Sequence, residues 1–397
     1  MSLEGRLLVL CARTSVSEFV RVEIADLACD ALNWELVWSL SKAHGIAPLV
    51  YRNLASICPA AVPSSIHEAY RRHNQATTLM NHVLAKELGA LLAALAAQGI
   101  TAIPFRGVTV AQAAYGDLTV RECVDNDLII EEGALSQARK VLWSQGYRPS
   151  GSEMETEAAA DESSHLFLRR SGMVAADLQW AIVCRHAGFR VDRSALWSRL
   201  KPVRLPSASL MGLSPEDLLL LLCVHGTIHA WGQLKWVCDV AELVRRKPAL
   251  DWSRLLFQAR EWKCRRMVLL GLAMAQNLFD IVLPCSVSRE IEKDEDISVL
   301  VRRMPRQLLK YPHQGIDEDS LDALSVTMAD SSWERWKLAL LLCRTDGDMF
   351  AQPLPWFRGQ TQLQMLSECL RPFLTVLRKN TLWVRIGHRL VRWLRGC

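Results

Sequence analysis

The stretch Ile103–Ile130, IPFRGVTVAQAAYGDLTVRECVDNDLII, decides how the rest of the chain is read. It opens and closes on short apolar runs of strand type. Between them, VTVAQAAYGD has helical spacing, with Gly116 near its end. Asp125 and Asp127 stand one residue apart, directly before Leu128, Ile129 and Ile130. Strand side chains alternate faces, so these two carboxylates point the same way, about 7 Å apart along the backbone. Burying a carboxylate is costly unless something compensates it. One or two hard divalent cations would do so, because Mg²⁺ takes oxygen ligands and keeps waters and phosphates in its shell. A bare Asp-x-Asp is equally a strand-end turn whose acids face water, so its neighbours have to arbitrate.

Three neighbours favour the cation. A strand runs into Arg106-Gly107 and a helix follows; helix amides bind phosphate, and Gly107 allows close approach. Arg121, four residues before Asp125, is a fork able to grip a phosphate. Asp177, in VAADLQW (Val174–Trp180), completes a carboxylate triad if its strand neighbours that of Asp125 and Asp127.

Working outward, residues 1–99 read as a helical region. Asn33 is an N-cap for a helix carrying Leu36, Val37, Leu40 and Ala43 on one face. Pro48 opens another helix, and Asn81–Gly99 is a further one, rich in Ala and Leu. Residues 100–205 read as a small α/β core: strands at ITAIPF and NDLIIEE, a helix ending at Gly146, then HLFLRR and MVAADLQWAI joined at Ser171-Gly172 as a hairpin. The acidic interval 150–164 reads as a mobile loop. Residues 206–397 are helical again. Ser214 caps a helix with Pro215 at its first position, QLKWVCDVAELVRR follows, and 285–330 reads as a charged gap. From Arg371 onward there are seven Lys or Arg and no acid, at helical spacing. Such a basic helix packs on the body or docks on an acidic partner or membrane surface.

The order of these motifs resembles the polymerase-β-type nucleotidyltransferase superfamily, and within it a branch of uncharacterised bacterial nucleotidyltransferases. The likeness rests on Ile103–Ile130, where the branch has Lys-Gly, Tyr-Gly, Arg and Asp-x-Asp. It extends to DLQW, with Gln179 in place of the branch's His, and to the helical flanks over residues 30–245. Arg106-Gly107 replaces the branch's Lys-Gly and the superfamily's Gly-Ser; Arg and Lys are not interchangeable. The resemblance implies an α+β fold, a small mixed sheet flanked by N-terminal and C-terminal helical regions. It also implies Mg²⁺-dependent (or Mn²⁺-dependent) transfer from a nucleoside triphosphate to a small-molecule or peptide acceptor. Asp125, Asp127 and Asp177 would be the catalytic metal carboxylates, and Arg106, Gly107 and Arg121 would meet the nucleotide. Two other classes share these residues: a transferase using a nucleotide sugar, and a non-catalytic nucleotide-binding module.

Bulk properties narrow the field. The chain has 397 residues, 50% of them hydrophobic, enough for two or three domains. A net charge of +5 is too mild for a protein that coats nucleic acid. Twelve scattered cysteines with no CxxC pair point to reduced thiols in a cytoplasmic protein. LLVLCA near the N-terminus is too short for a secretory signal, and no uninterrupted apolar run reaches the length of a membrane span. His225 and His229 lie one helical turn apart, but residue 226 is Gly, so the zinc pattern HExxH is not met and no zinc is expected. A buried His225–Asp239 hydrogen bond between helices is expected instead, with a pocket role as the alternative.

Overall fold

The computed structural model describes residues 1–149, 164–169, 174–180, 191–206, 208–309, 324 and 327–331. The chain divides into two compact units, Met1–Val183 with Phe189–Gly315, and Cys184–Gly188 with Ile316–Cys397. Residues 150–163, the Ser171-Gly172 turn and the basic helix expected over 371–395 lie outside the described residues.

Five helices come first: α1 (Leu3–Cys11), α2 (Glu18–Cys29), α3 (Trp34–Ala43), α4 (Ala47–Ile57) and α5 (Ser64–Ala96). The cap at Asn33 forms as expected, its Oδ1 accepting from Leu36 N at 3.0 Å. Pro48 lies in the first turn of α4. The buried face of α3 runs through Val37, Leu40 and Ser41, whereas Leu36, a quarter turn away, is exposed.

The helix expected over Asn81–Gly99 extends back to Ser64, a span of 33 residues. By length and composition it is apolar enough to cross a bilayer, although no uninterrupted apolar run is long enough. Its stripe Leu84, Leu88, Leu91 and Leu95 is buried in the core of the sheet. Asn81, fully buried, donates from Nδ2 to the carbonyls of Leu118 and Arg121. This clamps the loop that leads into Asp125.

The sheet follows: β1 (Ile103–Pro104), α6 (Val108–Val110) continuing through a π turn over Ala111–Tyr115, β2 (Asp125–Ile129), α7 (Leu135–Ser144), β3 (Tyr147–Pro149), β4 (Ser164–Arg169) and β5 (Ala175–Gln179). Strand order is β1-β2-β5-β4-β3. β2 and β5 are parallel, and the other neighbours are antiparallel, so the sheet is mixed. Alternation explains the Asn between the acids. Asn126, Leu128, Ala176 and Leu178 face α5, where Asn126 Nδ2 donates to Leu84 O at 3.1 Å. Asp125, Asp127, Asp177 and Gln179 take the opposite face.

The remainder is a short helix α8 (Arg193–Trp197), a hairpin β6 (Lys201–Leu205) with β7 (Ala208–Gly212), and six helices: α9 (Pro215–Ile228), α10 (Leu234–Arg246), α11 (Trp252–Glu261), α12 (Arg265–Phe279), α13 (Cys285–Glu292) and α14 (Glu295–Leu308). The expected charged gap after residue 285 is therefore helical as far as Leu308. Its apolar residues Val287, Ile291, Ile297 and Leu300 are buried. Its acids Glu290 and Asp294 meet Arg265 and Arg266 of α12, with Nη2–Oε2 at 2.8 Å and Nε–Oδ2 at 2.7 Å. Between α9 and α10 the indole of Trp231 is wholly buried. It lies against two glycines: a Cβ on Gly226 would come within 2.5 Å of the ring, and one on Gly271 of α12 within 2.9 Å.

Candidate active site

β2 and β5 pair in a register that sets Asp127 opposite Asp177 and Asp125 opposite Ala175. Two acids 50 positions apart in sequence thus become neighbours on one face. They line a cavity of about 590 Å³ together with Phe105, Arg106, Gly107, Arg121, Glu122 and Asp125 on the sheet side, and His225, His229, Gln233, Lys235 and Trp236 from the α9–α10 region.

Arg106 lies between the acids. Its Nη2 donates to Asp127 Oδ1 and stands 3.8 Å from Asp177 Oδ2. Its Nη1 donates to the ring of His225, 2.8 Å from Nδ1. Gln179 Nε2 donates to Asp177 Oδ2 at 2.6 Å. Asp127 is 3% exposed, and burial drives its pKa from 3.8 up to about 7. The nearby Arg106 opposes that rise; Asp125 and Asp177 add to it. His225 is pushed well below the ordinary histidine value, by burial first and then by Arg106, so its neutral ring can accept from the guanidinium.

Gly107 turns the chain sharply, with φ +60° and ψ −132°. A Cβ there would stand 2.5 Å from the carbonyl oxygen of Asp125, so only glycine lets β1 and the Asp125 backbone approach this closely.

Arg121, expected to reach a phosphate, instead spends its fork on Asp239. Nε donates to Oδ1 at 2.7 Å and Nη2 to Oδ2 at 2.8 Å, and Tyr115 Oη donates to the same Oδ1 at 2.8 Å. All three residues are buried. The expected His225–Asp239 hydrogen bond is thereby corrected: Asp239 takes Arg121 and Tyr115, and His225 takes Arg106. The fixed guanidinium has the stronger claim on a buried carboxylate, because it never gives up its charge. Trp236 is half-buried and lines the cavity beside Lys235.

A sequence model of the family described as uncharacterised nucleotidyltransferase matches residues 30–280. The chain belongs to this nucleotidyltransferase family. No curated protein matches it. Among solved structures, an antigenic nucleotidyltransferase-like protein from Paracoccidioides brasiliensis is similar at 15% identity and a TM-score of 0.31, over 56% of this chain and 92% of that one.

The three aspartates of this nucleotidyltransferase family member supply the donor type a hard cation takes, three carboxylates on one cavity wall. Asp127 in particular carries a burial cost that a divalent charge would relieve. The cradle is not closed, however: among the described residues no three His, Cys, Asp or Glu side chains converge on one point. The Arg106 guanidinium stands where Asp127 and Asp177 would meet.

Proposed function

We propose that this cavity transfers a nucleotidyl group from a nucleoside triphosphate to a hydroxyl or phosphate of a small molecule or peptide, with Mg²⁺ or Mn²⁺ held by Asp125, Asp127 and Asp177. The observation that carries the reading is the β2–β5 register, which sets Asp127 beside Asp177 on the face that also bears Asp125.

A divalent ion there would neutralise the triphosphate and acidify the acceptor hydroxyl. The protein's own groups do the rest. The acceptor oxygen forms a bond to the α-phosphorus while the bond to the bridging oxygen breaks, and pyrophosphate leaves with that electron pair. Asp177, at the cavity wall and hydrogen-bonded by Gln179, would take the acceptor's proton. Arg106 has to rotate off Asp127 for the carboxylates to close on a cation; its charge is then available to the phosphates.

The test is melting temperature with MgCl₂ and each nucleoside triphosphate or nucleotide sugar, for wild type, Asp125→Asn and Asp127→Asn, beside a pyrophosphate-release assay. A ligand at a hundred times its Kd should stabilise wild type by about 2.7 kcal/mol. Both variants should lose that response and the release of pyrophosphate. Equal responses in all three proteins would refute the reading. A response confined to nucleotide sugars would reassign the donor.

A further inference from the structure

The α9–α10 side of the cavity has no direct part in the chemistry above, yet it is built from groups that suit a nucleotide. Trp236 and His229 stand 5.4 Å apart between ring centroids at 38°, and His225 lies 4.5 Å from His229 and 5.3 Å from Trp236. His229 is exposed and Trp236 half-buried, so part of this aromatic shelf faces the cavity. Its position is fixed. Leu234 N and Lys235 N at the start of α10 donate to Nδ1 and the carbonyl of His44, at 3.4 and 3.1 Å, and His44 is fully buried.

Lys235 lines the same wall, half-buried, and its ammonium makes no hydrogen bond or ion pair with any described residue. Burial lowers its pKa, Arg121 adds to that, and Asp239 and Glu122 oppose it. An ammonium held partly out of water with no hydrogen bond to a described residue is unfavourable, and an anion in the cavity would offset the cost. The carboxylates of the same cavity repel phosphate unless a cation stands between them. Lys235 gives the α10 wall a positive charge that attracts an anion directly.

We propose that this wall is the nucleotide subsite: the base stacks on Trp236 and His229, and the phosphate chain meets Lys235. The inference rests on the nucleotide reading above. Stacking on an aromatic face is tolerant of base identity, so all four nucleoside triphosphates should bind with comparable strength.

The experiment measures affinities of ATP, GTP, CTP, UTP and inorganic tripolyphosphate, each with Mg²⁺, by calorimetric titration. Trp236→Ala should weaken the nucleotides about tenfold, within the range for a lost stacking contact, and leave tripolyphosphate unchanged. Trp236→Phe should retain most of the affinity. Lys235→Met, which keeps the apolar stem, should weaken nucleotides and tripolyphosphate alike, about tenfold. Melting temperatures near wild type would establish that the variants fold; if Trp236→Ala does not, Trp236→Phe and Trp236→Leu make the same comparison. Wild type binding nucleotides while the Trp236 and Lys235 variants bind them equally well would overturn this inference alone. Wild type binding no nucleotide would overturn it together with the function on which it rests.

Discussion

Replacing Asp239 by Ala should unfold the protein far more readily than its distance from the sheet implies. Asp239 is 0% exposed and Arg121 7% exposed, joined by two hydrogen bonds of 2.7 and 2.8 Å. Arg121 cannot shed its proton, so removing the partner strands a buried positive charge. Breaking a buried pair from one side costs about 3–5 kcal/mol, and Tyr115 Oη loses its acceptor as well. At roughly 2–4 °C per kcal/mol for a large domain, the melting temperature should fall by about 6–20 °C. Denaturant titration gives the free energy directly. The control is the double variant Arg121→Met with Asp239→Leu. Replacing both charges with apolar groups of similar size is often neutral or stabilising, so most of the loss should return. The double variant should also keep nucleotide affinity, because the Arg121 fork is held by Asp239. A single variant losing under about 1 kcal/mol, or a double variant as unstable as the single, would show that the pair is not the tie described.

Asp127→Asn should change how stability depends on pH. The folded pKa of about 7 lies above the ordinary 3.8, so folding favours the protonated form, and wild type loses stability as pH rises from about 4 through 7. Between pH 5 and 7 wild type should lose stability relative to the variant, by an amount on the order of 2 kcal/mol; parallel melting curves in chelator across that range would sink the claim. Gly107→Ala should abolish nucleotide response and destabilise by a few kcal/mol, since it combines a positive φ with a contact against the Asp125 carbonyl; an unchanged thermal shift would contradict it. Leu88→Ala, on the buried stripe of α5, should cost about 2–5 kcal/mol in denaturant titration without altering nucleotide specificity.

The sheet was legible because its signals are local. Period-two alternation around Asp125 and Asp127 and the apolar run after them fix a strand and a face. Asn126 only becomes intelligible once α5 is seen behind it, since its amide partner, the Leu84 carbonyl, lies 42 positions away in sequence. The pairing of Asp239 escaped sequence reading for a related reason. Helical spacing places Asp239 near His225, but it cannot say that a loop residue, Arg121, arrives from the sheet with a stronger charge. Lys235 carries no signal in the sequence because a single Lys on an amphipathic helix ordinarily faces water, and only the tertiary position of α10 turns it into the cavity. The segment after Pro284 read as a gap because its acids dominate the composition, while its apolar residues needed α12 beneath them to become a helical face.

The indole that fills the space beside Gly226 limits which chemistries this scaffold can acquire. His225 and His229 already have the separation of a zinc-protease helix, and a glutamate at position 226 would complete that pattern on paper. In the folded chain that side chain has nowhere to go, because the Trp231 ring and Gly271 behind it leave no room even for a methyl group. A lineage drifting toward hydrolytic metal chemistry would first have to rebuild the joint between three helices. The two histidines are thereby kept from that pattern by a buried aromatic plug.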